Sequence, residues 1–291
     1  MAKHLLTILL LTISLFAKID VTVSILPQKY FVKKIANDLV NVEVMVLPGS
    51  EPANYEPKPK QLSHLVKSKI YFSIGVPFER SWLDRFKEIN KNMIICDTSK
   101  GIKKYPMSAN YDFIKGFIPR RVSVKKEALD PHIWLSPLLV KKIAANIEKA
   151  LEEVDGEHKD IYKNNLKKFL KEIDDLHKYG IEKLSHLKNR EFIVFHPVWG
   201  YFAREFSLKQ IPIELEGKSP KISTLIKLIK YARKRGIKVV FVQPEFSKKS
   251  AEVIAKNIEG RVVALDPLAE NWGESIKRAI DTFSKELSDE R

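Results

Sequence analysis

Short runs of β-branched and apolar residues alternate along this chain with longer stretches whose apolar positions recur every three or four residues. Asp20 to Leu26 reads as a buried strand, and Pro27 then leads into helical spacing across Tyr30, Phe31, Val32, Ile35 and Ala36. Val42 to Leu47 is the next strand, closed by Pro48-Gly49. Gln61 to Ser68 reads as a helix, Lys69 to Ile74 as a strand, Phe78 to Ile89 as a helix and Met93 to Cys96 as a strand. Strands that alternate with helices in this way predict parallel βαβ units.

The rhythm returns after residue 189. Glu191 to Phe195 is a strand, Val198 to Phe206 an aromatic-rich helix, and Gln210 to Glu214 an extended segment. Thr224 to Arg235 is a helix, Val239 to Val242 a strand, Ser247 to Ile258 a helix, Arg261 to Leu265 a strand and Glu274 to Leu287 a closing helix. Each half sends its first strand into a helix carrying Tyr-Phe, at Tyr30-Phe31 and Tyr201-Phe202. Between the halves, Ser136-Pro137 is a cap and first-turn pair. From there to about Leu187 runs a charged amphipathic stretch, broken only near Asp155-Gly156, with Ile143, Ile147, Leu151, Leu166, Leu170, Ile173 and Leu176 at spacings of three and four. The fold class is therefore α/β: two similar lobes with parallel sheets (18–136 and 189–291) joined by one long linking helix (137–188). A cleft between the lobes, at the carboxyl ends of the strands, is where a ligand belongs.

The first 17 residues differ from everything after them. A short basic start, an apolar run from Leu5 to Phe16 and then Ala17 form a secretory signal pattern, and the run is shorter than the roughly 20 residues a bilayer requires. No cysteine follows it to carry a lipid, so the expected product is a soluble exported protein, with the periplasm as its expected compartment and a monomer as its expected state. The single cysteine, Cys96, excludes an intramolecular disulfide and a cysteine-type zinc finger. Among 291 residues, 51 Lys and Arg outnumber 36 Asp and Glu for a net charge of +15, which raises nucleic acid as a partner. Export argues against it. The basic residues are also interleaved with acidic ones, as at Lys141, Lys142, Glu148, Lys149, Glu152 and Glu153, in the manner of a solvated helix face.

Of seven histidines, His4 lies in the signal segment, and His64, His158, His177 and His186 read as solvent-exposed helix residues without ligand spacing. Two others stand apart. His132 follows Asp130-Pro131 just before the linking helix, and His196 follows the strand Phe192 to Phe195 directly, at its carboxyl end. Asp266 occupies the same kind of position after Val262 to Leu265. Two neutral imidazoles and a carboxylate suit a first-row metal ion. Separations of 64 and 70 residues leave satisfied core histidines as an equal reading of the residues alone.

Asp130-Pro131-His132-Ile133-Trp134-Leu135-Ser136-Pro137 resembles the DPHxWLSP signature of the periplasmic zinc- and manganese-binding receptors of ABC importers. Phe195-His196 with Tyr201-Phe202 is similar to that family's second-lobe histidine segment, and Leu265-Asp266-Pro267-Leu268 to its final ligand segment. Phe241-Val242-Gln243-Pro244-Glu245-Phe246-Ser247 resembles its FVEPQFS segment with Gln and Glu exchanged. Glu216-Gly217 with Pro220, and Gly75 to Leu83, are similar to two further stretches, so the likeness runs through the mature chain in order. The resemblance implies two α/β lobes bridged by a long helix, a membrane permease as partner, and His132, His196 and Asp266 as metal ligands. Lobes joined by one rigid helix are expected to move little, with ligand exchange by local loop motion. A histidine at the position of His196 accompanies the zinc receptors of the family and a carboxylate the manganese receptors, so Zn(II) is the implied cargo, with Mn(II) or another divalent ion the alternative.

One ligand of the family is missing. Its GxDPHxYEP loop corresponds to Gly49-Ser50-Glu51-Pro52-Ala53-Asn54-Tyr55-Glu56-Pro57, which carries Ala53 where the first ligand histidine belongs. Four alternatives remain open: water in the fourth position, a side chain of the same loop (Glu51, Asn54 or Glu56), His64, or weakened metal binding. The stretch Lys103 to Lys126 is basic and holds no histidine, so it lacks the metal-gathering composition of the family's mobile loop. Rival classes are a zinc hydrolase, for which three ligands and an open position are the usual arrangement but an HExxH helix is absent from the sequence, and a metal-independent adhesin.

Overall fold

The computed structural model describes residues 18–107, 129–214, 221–246 and 249–288. The signal segment 1–17, most of the Lys103–Lys126 stretch and the Glu216-Gly217-Pro220 segment lie outside the described residues.

In the first lobe, β1 (Ile19–Val23) runs into α1 (Leu26–Ala36), with Pro27 in the first helical turn. The strand ends earlier than the apolar run, because the Gln28 side chain turns back to accept the backbone N–H of Ser24 at 3.0 Å and that of Ile25 at 3.3 Å. β2 (Val40–Val44), α2 (Pro59–Leu65), β3 (Ile70–Ser73), α3 (Glu79–Ile89) and β4 (Ile94–Asp97) complete the lobe. The strands are all parallel in the order β2-β1-β3-β4, with Val21 opposite Val42 on one side and Ile70 on the other.

The second lobe repeats this plan. β5 (Glu191–Val194), α6 (Gly200–Glu205), β6 (Lys209–Pro212), α7 (Ile222–Lys234), β7 (Val239–Val242), α8 (Lys249–Asn257) and β8 (Arg261–Ala264) give a parallel sheet ordered β6-β5-β7-β8, followed by α9 (Trp272–Leu287). In both sheets the strand that opens the lobe lies second, beside its own crossover partner, and the next strand pairs on its other side. The order therefore reverses direction at the first strand, and its carboxyl end becomes the place where loops diverge and a ligand can enter.

The stretch between the lobes resolves, at the break near Asp155-Gly156, into α4 (Pro137–Val154) and α5 (Lys159–Ser185). The Ser136 hydroxyl caps α4 by accepting the Leu139 N–H at 3.2 Å. Lys163 pairs with Glu152 near the turn and Lys141 with Asp174 further from it, so the two helices run antiparallel. α5, the longer, touches α1 of the first lobe and α9 of the second and is the element that links them. Here two histidines depart from the sequence reading. His158 is held by Asp155 at 2.8 Å and His177 by Glu205 at 2.8 Å, both half-buried, because the hairpin turn and α6 bring those carboxylates to them. His64 and His186 are exposed, as expected.

Side chains alternate across the second sheet. Phe192, Val194, Val239 and Phe241 join a core continuous with the whole first lobe, whereas Ile193, Val240 and Val242 face a separate, smaller core under α7 and α8. The seam between lobes is aromatic. Phe31, Phe169 and Trp272, from α1, α5 and α9, meet with ring centroids 5.3 to 6.3 Å apart. Trp272 Nε1 donates to the Trp134 carbonyl at 2.7 Å, and Trp134 Nε1 to the Pro267 carbonyl at 2.8 Å, so both buried indoles cross the seam with their donors satisfied.

Candidate metal-binding site

His132 and His196 come from opposite lobes and meet, their ring centroids 5.5 Å apart and their planes at 78°. Each is placed by its own local chemistry. Pro131 and the turn that opens at Ile133 fix the His132 backbone, whose N–H donates to Asp130 Oδ1 at 3.0 Å; the ring Nδ1 lies 2.7 Å from the same oxygen. His196 follows β5, and Gln243, just past β7, clamps its backbone from both sides. The Gln243 Oε1 accepts the His196 N–H at 3.4 Å, and its Nε2 donates to the His196 carbonyl at 2.8 Å. The His196 Nδ1 lies 3.1 Å from Glu214 Oε2, beyond β6, and the ring stacks on Phe246 at 5.2 Å. Tyr201 ties the two segments together by donating to the Asp130 carbonyl at 3.0 Å while accepting the Tyr105 N–H.

Both rings thus spend Nδ1 on a carboxylate and keep Nε2 for the cavity they line. A carboxylate behind an imidazole fixes its tautomer and makes the remaining nitrogen a better metal donor. Burial, with His196 nearby, pushes the His132 pKa down against the pull of Asp130, which favours the neutral ring that a metal requires. If two nitrogens bound one zinc ion at about 2.0 Å with tetrahedral angles, the ring centres would lie about 5 Å apart. The observed separation is close to that.

The cavity measures about 270 Å³. Val76, Trp134, Val198, Phe246 and Leu268 supply apolar walls, and Glu51 and Glu245 are the carboxylates among its lining residues. Glu245 is half-buried, and burial raises its carboxyl pKa; the neighbouring negative charges of Asp266 and Glu51 raise it further, while its own backbone N–H and His196 lower it. The third sequence-derived candidate, Asp266, is exposed. Its Oδ1 accepts the Leu268 N–H at 2.8 Å, and Pro267 and Leu268 rather than Asp266 line the cavity. As the side chains stand, no three His, Cys, Asp or Glu groups among the described residues are close enough together to hold one ion.

Ala53 sits exposed at the cavity rim. Of the side chains that could stand in for a histidine there, Glu51 lines the cavity, whereas Asn54, Glu56 and His64 are exposed and do not. The sequence reading did not single out Glu245, Asp130 or Glu214. The Gln-for-Glu exchange in Phe241 to Ser247 was the available signal for Glu245, and the adjacency to His132 was the signal for Asp130.

Comparison with known proteins agrees with this architecture. Residues 21–286 match the family model described as the periplasmic zinc-uptake complex component A, ZnuA. The high-affinity zinc uptake system protein ZnuA of Bacillus subtilis (strain 168) is 28% identical over 255 residues, 86% of this chain and 79% of that protein. A crystal structure of ZnuA superposes with a TM-score of 0.85 at 41% identity, over 94% of this chain and 100% of that one. A laminin-binding protein of Streptococcus agalactiae, described as both adhesin and metal transporter, shares the fold with a TM-score of 0.79 at 22% identity, over 94% of this chain and all of its own. The match to the family model takes in both lobes and the helices between them, and on that ground this chain belongs to the ZnuA family of periplasmic zinc-uptake components.

Proposed function

We propose that this chain captures Zn(II) as cargo between His132 and His196, with Asp266 as the carboxylate ligand, and hands it to the permease of an ABC importer. The observation that carries the proposal is the meeting of two imidazoles from opposite lobes, each with Nδ1 already held by a carboxylate. Core histidines satisfied for stability alone have no need to bring their second nitrogens to a common cavity. Asp266 reaches the ion by turning away from the Leu268 N–H, a rotation available to an exposed side chain. Imidazole and carboxylate together suit zinc, which outcompetes manganese at such donors.

A receptor rather than a hydrolase fits the sequence and the family. The chain carries no HExxH helix, and the family it belongs to is one of zinc-uptake components. The core that runs unbroken from the first lobe through α5 to one face of the second sheet opposes hinge opening, so the ion is exchanged through motion of the surrounding loops. The chain acts as an exported monomer.

The test is calorimetric titration of the signal-free protein with zinc, beside His132→Ala and His196→Ala. One-to-one binding at sub-micromolar Kd, lost in both variants, is the expected result. Binding indifferent to both histidines overturns the assignment.

A further inference from the structure

The cavity holds one carboxylate from each lobe, Glu51 in the loop that carries Ala53 and Glu245 between the two residues that fix His196. Gln243 grips the His196 backbone and Phe246 lies flat against its ring at 5.2 Å, so the segment that carries Glu245 is attached to this histidine at both ends. Glu245 leaves the chain between those anchors and lines the cavity that His132 and His196 also line, so a rotation of its side chain can carry the carboxylate to an ion held by the two rings. We propose that the Glu245 carboxylate is a zinc ligand that occupies the coordination position left without an imidazole at Ala53. This inference rests on the zinc-receptor reading above and adds a residue to it.

Charge supports the assignment. Two neutral imidazoles and Asp266 would leave a bound Zn(II) with one uncompensated positive charge, against walls formed by Val76, Trp134, Val198, Phe246 and Leu268. Charge of that kind is costly in apolar surroundings unless it is paired. Glu245 brings the sum to zero and completes a tetrahedral set of two nitrogens and two oxygens. With no cation present, Glu245 feels the like charge of Asp266 from its own lobe and of Glu51 from the other, an arrangement that a divalent ion converts from repulsion to attraction. The sequence fits the same account: the first lobe presents Ala53 at the cavity rim, and the second lobe presents a carboxylate at residue 245.

The experiment measures zinc affinity by competition with a chromophoric chelator for the wild-type chain, Glu245→Gln, Glu51→Gln and His132→Ala, each first shown by thermal melting in EDTA to be folded. Glu245→Gln keeps shape and removes one charge, and Glu51→Gln makes the same charge change in the same cavity. The expected result is a loss of more than about 100-fold for Glu245→Gln, beyond the range for groups outside the ligand shell, and no more than about fivefold for Glu51→Gln, the size of one partly exposed charge. Equal losses in the two variants would show that only the cavity's charge matters and would overturn the proposal. So would wild-type affinity in Glu245→Gln alongside a large loss in His132→Ala, which leaves the zinc reading standing. Absence of zinc binding in the wild type would remove the zinc reading itself.

Discussion

The two lobes share a strand order and diverge in what they bury. In the first, both faces of the sheet belong to one core that continues through α1 and α5 into the second lobe. In the second, the sheet divides two cores: Phe192, Val194 and Phe241 face the seam, and Ile193, Val240 and Val242 face α7 and α8. The site repeats the asymmetry. The loop of the first lobe contributes Glu51 and Ala53, an imidazole-free rim, whereas His132 at the lobe boundary and His196 with Glu245 in the second lobe carry the donors. A common topology thus supplies the place for a site, and the loops after particular strands decide which side does the binding.

The seam is the strongest claim of that comparison and the first to break. Phe169→Ala removes a ring packed against Phe31 and Trp272, and should lower global stability by about 3–5 kcal/mol. Urea denaturation should show it as one transition moved to lower midpoint, reported equally by probes in either lobe. Independent unfolding of the lobes would contradict the continuous core.

The histidines come next. His132→Ala and His196→Ala should each weaken zinc binding by more than about a hundredfold, beyond the range for losses outside the ligand shell, as read by chelator competition. A large loss in one alone would assign the metal to a single lobe. Behind them, Asp130→Asn and Glu214→Gln should cost about 10- to 100-fold each. Asp130 should cost more, because it is fully buried and lies at 2.7 Å from its ring, against 3.1 Å for Glu214. Equal and negligible losses would mean that the carboxylates do not orient the rings.

The smallest effect belongs to the first lobe alone. Glu79 is buried below the cavity wall, accepting from Ser24 and from the Ile74 and Gly75 N–H groups, and burial outweighs those bonds to raise its pKa from 4.5 to about 7. The folded chain therefore binds a proton between those values that the unfolded chain does not. Its contribution to stability is full below pH 4.5 and is lost as the pH rises to about 7. Glu79→Gln should flatten that part of the profile in urea melts at pH 5 and pH 8. An unchanged slope would show that the carboxyl is ionised throughout.

Much of the fold was legible because parallel strands buried on both faces leave runs such as Ile193-Val194-Phe195 and Val239 to Val242, and because Ser136-Pro137 and Asp155-Gly156 mark helix boundaries in the chain itself. The antiparallel return of α5 along α4 was not, since it depends on pairs such as Lys141 with Asp174. The same distinction runs through the site. His132 and His196 stood out by their position at element ends. Asp130 lies two residues from its histidine, but Glu214 reaches His196 only through the pairing of β5 with β6, and Glu245 only through that of β5 with β7. The sequence predicts exposure for His158 and His177, because the carboxylates that hold them arrive from a helix turn and from α6.

The proposed site requires that one zinc ion be held by imidazoles from both lobes. X-ray absorption at the zinc edge, on the signal-free chain loaded with one equivalent, measures this directly. The expected spectrum shows two imidazole nitrogens at about 2.0 Å, with carboxylate oxygens completing a tetrahedral shell, and loses one imidazole signal in His132→Ala or in His196→Ala. A spectrum with a single imidazole, or one that neither substitution alters, would contradict it.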